Sequence, residues 1–214
     1  MVNAKYFNNF KALVDQPLPE MRAYFDAEFT YLDGLVNSRS EVMDVGCGPG
    51  RTMRYLAPKV GRIVGVERDS RMVEEGRKVM EGVQGNYEFW EKDFFAVDSQ
   101  GIFDLVFASY NLPGSDDISI DQRQLLLKKM VINTRQGGHT VVSFWKPTNP
   151  EWLYRYYRAA GAEVQEIWGN MVQTTMGTFT RFTDQEIKDL ADTVGVEYSV
   201  VSLTPMFDLV HFRP

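Results

Sequence analysis

The sequence predicts a three-layer α/β/α sandwich around a seven-stranded, mostly parallel sheet whose last strand runs antiparallel. Three observations carry this. Between residues 41 and 145, short apolar runs alternate with segments of helical spacing, the rhythm of βαβ units in a sheet covered on both faces. Phe103-Asp104-Leu105-Val106-Phe107-Ala108 is almost wholly apolar, as a strand buried on both faces must be. The final runs, Tyr198 to Leu203 and Phe207 to Phe212, are joined only by Thr204-Pro205-Met206, too short for a parallel crossover, so they pair antiparallel.

The elements follow in order. Residues 5–15 and 19–36 read as helices, separated by Gln16-Pro17-Leu18-Pro19. In the second, Met21, Phe25, Phe29, Leu32 and Val36 recur at spacings of three and four and line one face. Strands are predicted over Glu41–Val45, Arg62–Glu67, Tyr87–Trp90, Phe103–Ala108 and Thr140–Trp145, the last begun by a turn at Gly137-Gly138. Helices run from the glycine-rich turn after Val45 to about Ala57, from Ser70 to Gly82 and from Ile120 to Asn133. Residues 147–182 break the rhythm with an aromatic helix, Pro150–Ala160, and a hairpin of Val164–Trp168 and Met171–Thr175 around Gly169-Asn170. Thr183-Asp184-Gln185-Glu186 has the spacing of a capping box and opens a helix to Val194. The chain thus divides into an N-terminal helical lid (1–38), a ligand-binding half (41–145), a substrate-side insertion (147–182) and a closing helix and hairpin (183–214), all one domain.

Composition narrows the function. A net charge of −6, with Lys128-Lys129 the longest basic cluster, argues against a nucleic-acid partner. No run of apolar residues is long enough to span a membrane, and no apolar signal core follows Met1. Cys47 is the single cysteine, so no internal disulfide is possible and a cytoplasmic setting is expected. No HxH, HExxH or CxxC spacing occurs, so no metal is expected.

Asp44-Val45-Gly46-Cys47-Gly48-Pro49-Gly50 closes a strand and opens a helix, where glycines permit positive φ and close approach of backbone to a ligand. Glu67 ends the next strand, at the sheet edge where a carboxylate accepts hydrogen bonds from a ribose diol. A dinucleotide fingerprint would need glycine where Arg51 stands. The Asp-x-Gly-x-Gly-x-Gly pattern instead resembles motif I of the class I S-adenosylmethionine-dependent methyltransferases, over residues 41–145 and on through the terminal hairpin.

That resemblance implies a Rossmann-like fold of the small-molecule type, S-adenosylmethionine as cofactor, and S-adenosylhomocysteine as product. It assigns Gly46, Cys47, Gly48 and Gly50 to the loop under the methionine part and Asp44 to the acid that orders it. It assigns Glu67 to the ribose, Arg68 and the Asp93-Phe94 pair to the adenine, and Ser109-Tyr110-Asn111 to the segment nearest the sulfonium. Tyr110 and Asn111 are therefore the catalytic candidates; Tyr31, Asn111, Trp145 and Arg181 are candidates on the substrate side. Tyr6, Phe7, Phe10, Tyr24 and Tyr31 are expected to form a lid. Asn111-Leu112-Pro113-Gly114 is only a partial match to the Asn-Pro-Pro-aromatic motif, Gly114 standing where a stacking aromatic belongs. His139 and His211 fall toward the amino edge of the sheet and read as structural. The expected reaction is in-line methyl transfer to oxygen or nitrogen of a small metabolite. The alternatives are a protein or RNA methyltransferase, and a regulatory protein that binds the cofactor without turnover.

Overall fold

The computed structural model describes residues 16–214; the helix expected over 5–15, with Tyr6, Phe7 and Phe10, lies outside the described residues. The first helix, α1 (Pro19–Asp33), starts at a proline, whose fixed φ suits a first helical position, and ends at Gly34. The core then alternates: β1 (Glu41–Val45), α2 (Arg51–Leu56), β2 (Arg62–Glu67), α3 (Ser70–Val79), β3 (Tyr87–Glu91), β4 (Phe103–Ala108), α4 (Ile120–Asn133) and β5 (Thr134–Trp145). The insertion contributes α5 (Pro150–Ala159), β6 (Val164–Trp168), β7 (Met171–Thr174) and β8 (Gly177–Thr180). The chain closes with α6 (Asp184–Asp192), β9 (Glu197–Thr204) and β10 (Phe207–Arg213).

Seven strands form one sheet in the order β3-β2-β1-β4-β5-β10-β9. β1 pairs in parallel with both β2 and β4, whereas β10 is antiparallel to both its neighbours, β5 and β9. The direction of winding reverses between β1 and β4, which opens a crevice at their carboxyl ends. On one face Leu126, Leu127 and Met130 of α4 and Ile187 of α6 pack on Val45, Val64, Val106 and Phe144. On the other, Leu32 of α1 and Met53 and Leu56 of α2 cover Val42, Ile63, Leu105 and Phe107. Each such side chain contributes about 1.5–3 kcal/mol by burial. A third cluster, rich in aromatics, caps the carboxyl end where α1, α5 and the insertion meet β5 and β10.

Two elements differ from expectation. β5 begins at Thr134, not Thr140: Gly137 takes φ 74° and the pairing with β4 shifts between Phe103 and Leu105, so the glycine pair forms an irregularity inside the strand. The inserted hairpin gains a third strand, β8, paired antiparallel to β7. The capping box at Thr183 forms as read, with Thr183 Oγ1 accepting from the Glu186 amide.

The two histidines lie side by side. His139 Nδ1 meets His211 Nε2 at 2.9 Å, and the Tyr31 hydroxyl meets His211 Nδ1 at 2.7 Å. Burial, then His139 and Arg213, push the buried His211 ring from 6.5 down to about 4. Between those values the unfolded chain binds a proton that the folded ring refuses. Stability is therefore expected to fall as pH drops from 6.5 to about 4, by at most about 1.4 kcal/mol per pH unit for one proton. Melting temperatures across that window should show a shallower fall in His211→Gln; equal slopes would refute the assignment.

Candidate active site

The glycine loop is shaped by its hydrogen bonds to β2. The amides of Gly46 and Cys47 donate to the Val66 carbonyl at 2.8 and 3.2 Å, and the Gly48 amide donates to Glu67 Oε2 at 3.1 Å. The bend this requires puts Gly46, Gly48 and Gly50 at φ of 68°, 53° and 83°, accessible to glycine at little cost. A Cβ on Gly46 would also lie 3.0 Å from the Leu112 side chain. Gly46 and Gly48 line a cavity at the carboxyl ends of β1, β2 and β4, together with Glu67, Arg68, Asp93, Phe94, Ser109 and Tyr110. Cys47 and Gly50 are not in that wall. Cys47 packs in the core with Met53, its thiol pushed up and kept neutral by burial, and Gly50 turns the chain into α2.

Acidic groups dominate this edge. Glu67 Oε1 accepts from the amides of Arg68 and Asp69 at 2.8 and 2.9 Å, so one carboxylate holds both the glycine loop and the turn into α3. Burial raises the Glu67 carboxyl despite those bonds. Asp44, 2% exposed, sits behind the cavity wall; burial pushes its carboxyl well up and Arg51 draws it back. Arg68 pairs with Asp117 at 2.8 Å, and both residues line the cavity. Asp93 Oδ1 accepts from the Phe95 amide at 2.8 Å, capping a short turn that sets the buried Phe94 in the wall.

The segment after β4 is held in an unusual backbone. Tyr110 and Asn111 have φ of 59° and 60°, a left-handed conformation costly for side-chain-bearing residues and typical of functional sites. Asn111, read from sequence as a substrate-side or catalytic group, has both ends of its side-chain amide bonded to backbone. Its Nδ2 donates to the Thr180 carbonyl at 2.9 Å and its Oδ1 accepts from the Trp145 amide at 3.0 Å, so the amide bolts the insertion to β5. Arg181 likewise turns away from the site: its guanidinium donates to the carbonyls of Gly169 and Asn170 and clasps the β6–β7 turn. Tyr31 is also displaced, bonded to His211 and facing β9. Trp145 stays at the carboxyl edge, buried against Trp152, Tyr156 and Phe207, its indole N–H without a partner.

Sequence reasoning singled out Ser109 and Tyr24 but passed over Glu28, which joins them to Arg51. Glu28 is 1% exposed on α1. Its Oε1 accepts from the hydroxyls of Tyr24 and, at 2.9 Å, Ser109, and its Oε2 pairs with the Arg51 guanidinium. Arg51 in turn lies over the Phe25 ring, 4.1 Å from its centroid. The legible signal was a charge at position 28, three residues after Phe25 and four before Leu32, on the face of α1 that must be buried.

Among the described residues, no cluster of His, Cys, Asp or Glu could hold a metal, and no helix is long and apolar enough to cross a membrane. No curated protein matches the chain. A methyltransferase-domain family model matches residues 42–138, from β1 into β5. Among solved structures, a protein of Pyrococcus horikoshii OT3 is 15% identical with a TM-score of 0.75, covering 99% of each chain. DhpI, in complex with S-adenosylmethionine and HEP, is 17% identical with a TM-score of 0.68, covering 98% of this chain and 94% of its own. DesVI of Streptomyces venezuelae is 16% identical with a TM-score of 0.68, covering 92% and 93%. The structural likenesses carry the fold, and the match over residues 42–138 carries the chemistry. The cavity fits the donor it implies: two bare glycine backbones beside a carboxylate suit a cationic nucleoside, and Arg51 breaks the fingerprint a pyrophosphate would need. Sheet order, domain match and cavity meet in one conclusion: the chain carries a methyltransferase domain over residues 42–138 and works as an S-adenosylmethionine-dependent methyltransferase, with S-adenosylhomocysteine as product.

Proposed function

We propose that the acceptor is an oxygen or nitrogen of a small metabolite, methylated by in-line displacement, and that the protein works in the cytoplasm on a diffusible substrate. The observation that carries this is the confined cavity at Ser109 and Tyr110, behind which Tyr24, Phe25, Trp145, Tyr156 and Phe207 pack together as buried core. So confined a cavity suits a small ligand better than a polymer strand. Negative net charge points the same way.

The residues have separable tasks in this reading. Gly46 and Gly48 present backbone to the donor, and Glu67 accepts from its ribose. Phe94 and Asp93 lie along the adenine, with Arg68 and Asp117 at the mouth. When bound, S-adenosylmethionine supplies a methyl group already activated for displacement. The chain's own work is then to align the acceptor and exclude water. Burial pushes the Tyr110 phenol up to about 12, so it stays protonated at neutral pH and acts as a wall and hydrogen-bond donor, not as a base.

A metabolite panel assayed for S-adenosylhomocysteine release tests this, beside methyl incorporation into protein and RNA fractions of a cell extract. Turnover confined to small molecules is expected. Label appearing only in the macromolecular fractions would overturn the substrate class, and tight cofactor binding with no turnover in either arm would favour a regulatory role.

A further inference from the structure

We propose that Glu28, reaching the cavity through the Ser109 hydroxyl, takes up the proton that the acceptor loses on methylation, so that the acceptor is a hydroxyl or an N–H group. This rests on the substrate reading above only in naming oxygen or nitrogen; the relay serves an acceptor of any size.

The geometry supplies each part. Ser109 lines the cavity at the end of β4, beside Gly46 and Tyr110. Its Oγ donates to Glu28 Oε1 at 2.9 Å, which leaves the lone pairs of Oγ to receive a hydrogen bond from another group. Glu28 is thus a carboxylate one hydroxyl away from the reacting end of the site, although it is itself shut off from water. The other groups near it do not compete for the role. Burial, followed by the charge of Glu28, pushes the Tyr24 phenol well up, so Tyr24 remains a donor to Oε1. Tyr110 likewise remains a phenol. Arg51, from α2, holds Oε2 and keeps its proton. Asp44, on β1, lies behind the wall and is itself pushed toward the neutral form by burial.

The step balances. A bond forms between the acceptor atom and the methyl carbon as the carbon–sulfur bond breaks, and its electron pair returns to sulfur. The acceptor proton passes to Ser109 Oγ while the proton of Ser109 passes to Glu28. A sulfonium and a carboxylate enter; a neutral thioether and a carboxylic acid leave. The net charge of the site does not change, which matters beside a carboxylate as buried as Glu28. Glu28 acts through Ser109, so it is a positioning residue as well as the proton's destination, and Ser109 is the group that touches the acceptor.

Three measurements test the relay. First, infrared difference spectra of the acceptor-free protein, compared with Glu28→Gln, report the carboxyl stretch of Glu28. That band is expected to shift in Ser109→Ala, because the Ser109 hydroxyl bonds Glu28 Oε1; an unmoved band would overturn the proposal, whatever the acceptor proves to be. Second, Ser109→Ala keeps the Glu28–Arg51 pair and should lower kcat about a hundredfold and remove the acid limb of the kcat profile. KM and the dissociation constant of S-adenosylhomocysteine, read by calorimetry, should change less than about threefold. Third, Ser109→Thr restores the hydroxyl and should restore most of kcat with its acid limb. If Ser109→Ala instead weakens S-adenosylhomocysteine binding while kcat and its pH profile persist, Ser109 is a cofactor contact and the relay is wrong. If the metabolite panel yields no acceptor but macromolecular fractions do, the same variants are read with those fractions, and the substrate reading fails without the relay failing.

Discussion

Replacing Glu67 by alanine is expected to weaken S-adenosylhomocysteine binding at least a hundredfold, the largest loss of any single side chain along the cavity. The carboxylate accepts from three backbone amides, those of Gly48, Arg68 and Asp69. It is also the acceptor proposed for the ribose diol. Hydrogen bonds to a charged group contribute about 1.5–3 kcal/mol each, so losing two to the ribose alone exceeds the roughly 2.8 kcal/mol that a hundredfold represents. The unpaired Gly48 amide then lets the loop move, adding to the loss. Glu67→Gln is expected to recover little, because its amide nitrogen has to face one of the same backbone donors. Calorimetric titration measures the effect, and a dissociation constant within tenfold of the unsubstituted protein would remove the ribose contact from the assignment.

Gly114→Ala is expected to cost about 3 kcal/mol of stability and most of the activity. A Cβ at this position would stand 2.2 Å from both the Thr180 carbonyl and the Asn111 amide nitrogen, the two ends of the bond that fastens the insertion to the active-site loop. Backbone from β8 cannot yield without β8 moving, so the added methyl opens that bond and leaves buried polar groups unpaired. Chemical denaturation measures the first effect and turnover the second; unchanged stability would show that the loop and the insertion are not coupled. The same crowding explains why position 114 carries no aromatic, as the Asn-Pro-Pro-aromatic pattern would require: the space is already filled by protein.

Much of this was legible because it is local. Val42 to Val45, Ile63 to Val66 and Leu105 to Ala108 announce buried strands by their composition, the glycine loop declares itself by spacing, and Thr183 with Glu186 forms its cap within four residues. β8 was missed because Gly177-Thr178-Phe179-Thr180 has too few residues for a period to show. The start of β5 was missed because Gly137-Gly138 looks like a turn and is an irregularity within the strand. Tyr31, Asn111 and Arg181 were credited with ligand contacts because residue type gives no hint that His211, Thr180 and Gly169 have already engaged them. Glu28 was passed over for the converse reason: its partners Arg51 and Ser109 lie 23 and 81 residues away, and only the fold joins them.

The position of β10 has a consequence for how the molecule is made. This strand is threaded between β5 and β9, and its Phe207 stacks on Tyr24 of α1 at 3.9 Å and on Trp145 of β5 at 5.8 Å. A nascent polypeptide that has left the ribosome only as far as Thr204 therefore presents β5 with one flank bare, a template for pairing with another chain. The helix synthesised early must wait for a ring synthesised some 180 residues later. Catalytic competence thus arrives in a single late event, and premature stop products should be inert and prone to clump, with no partly working enzyme along the way.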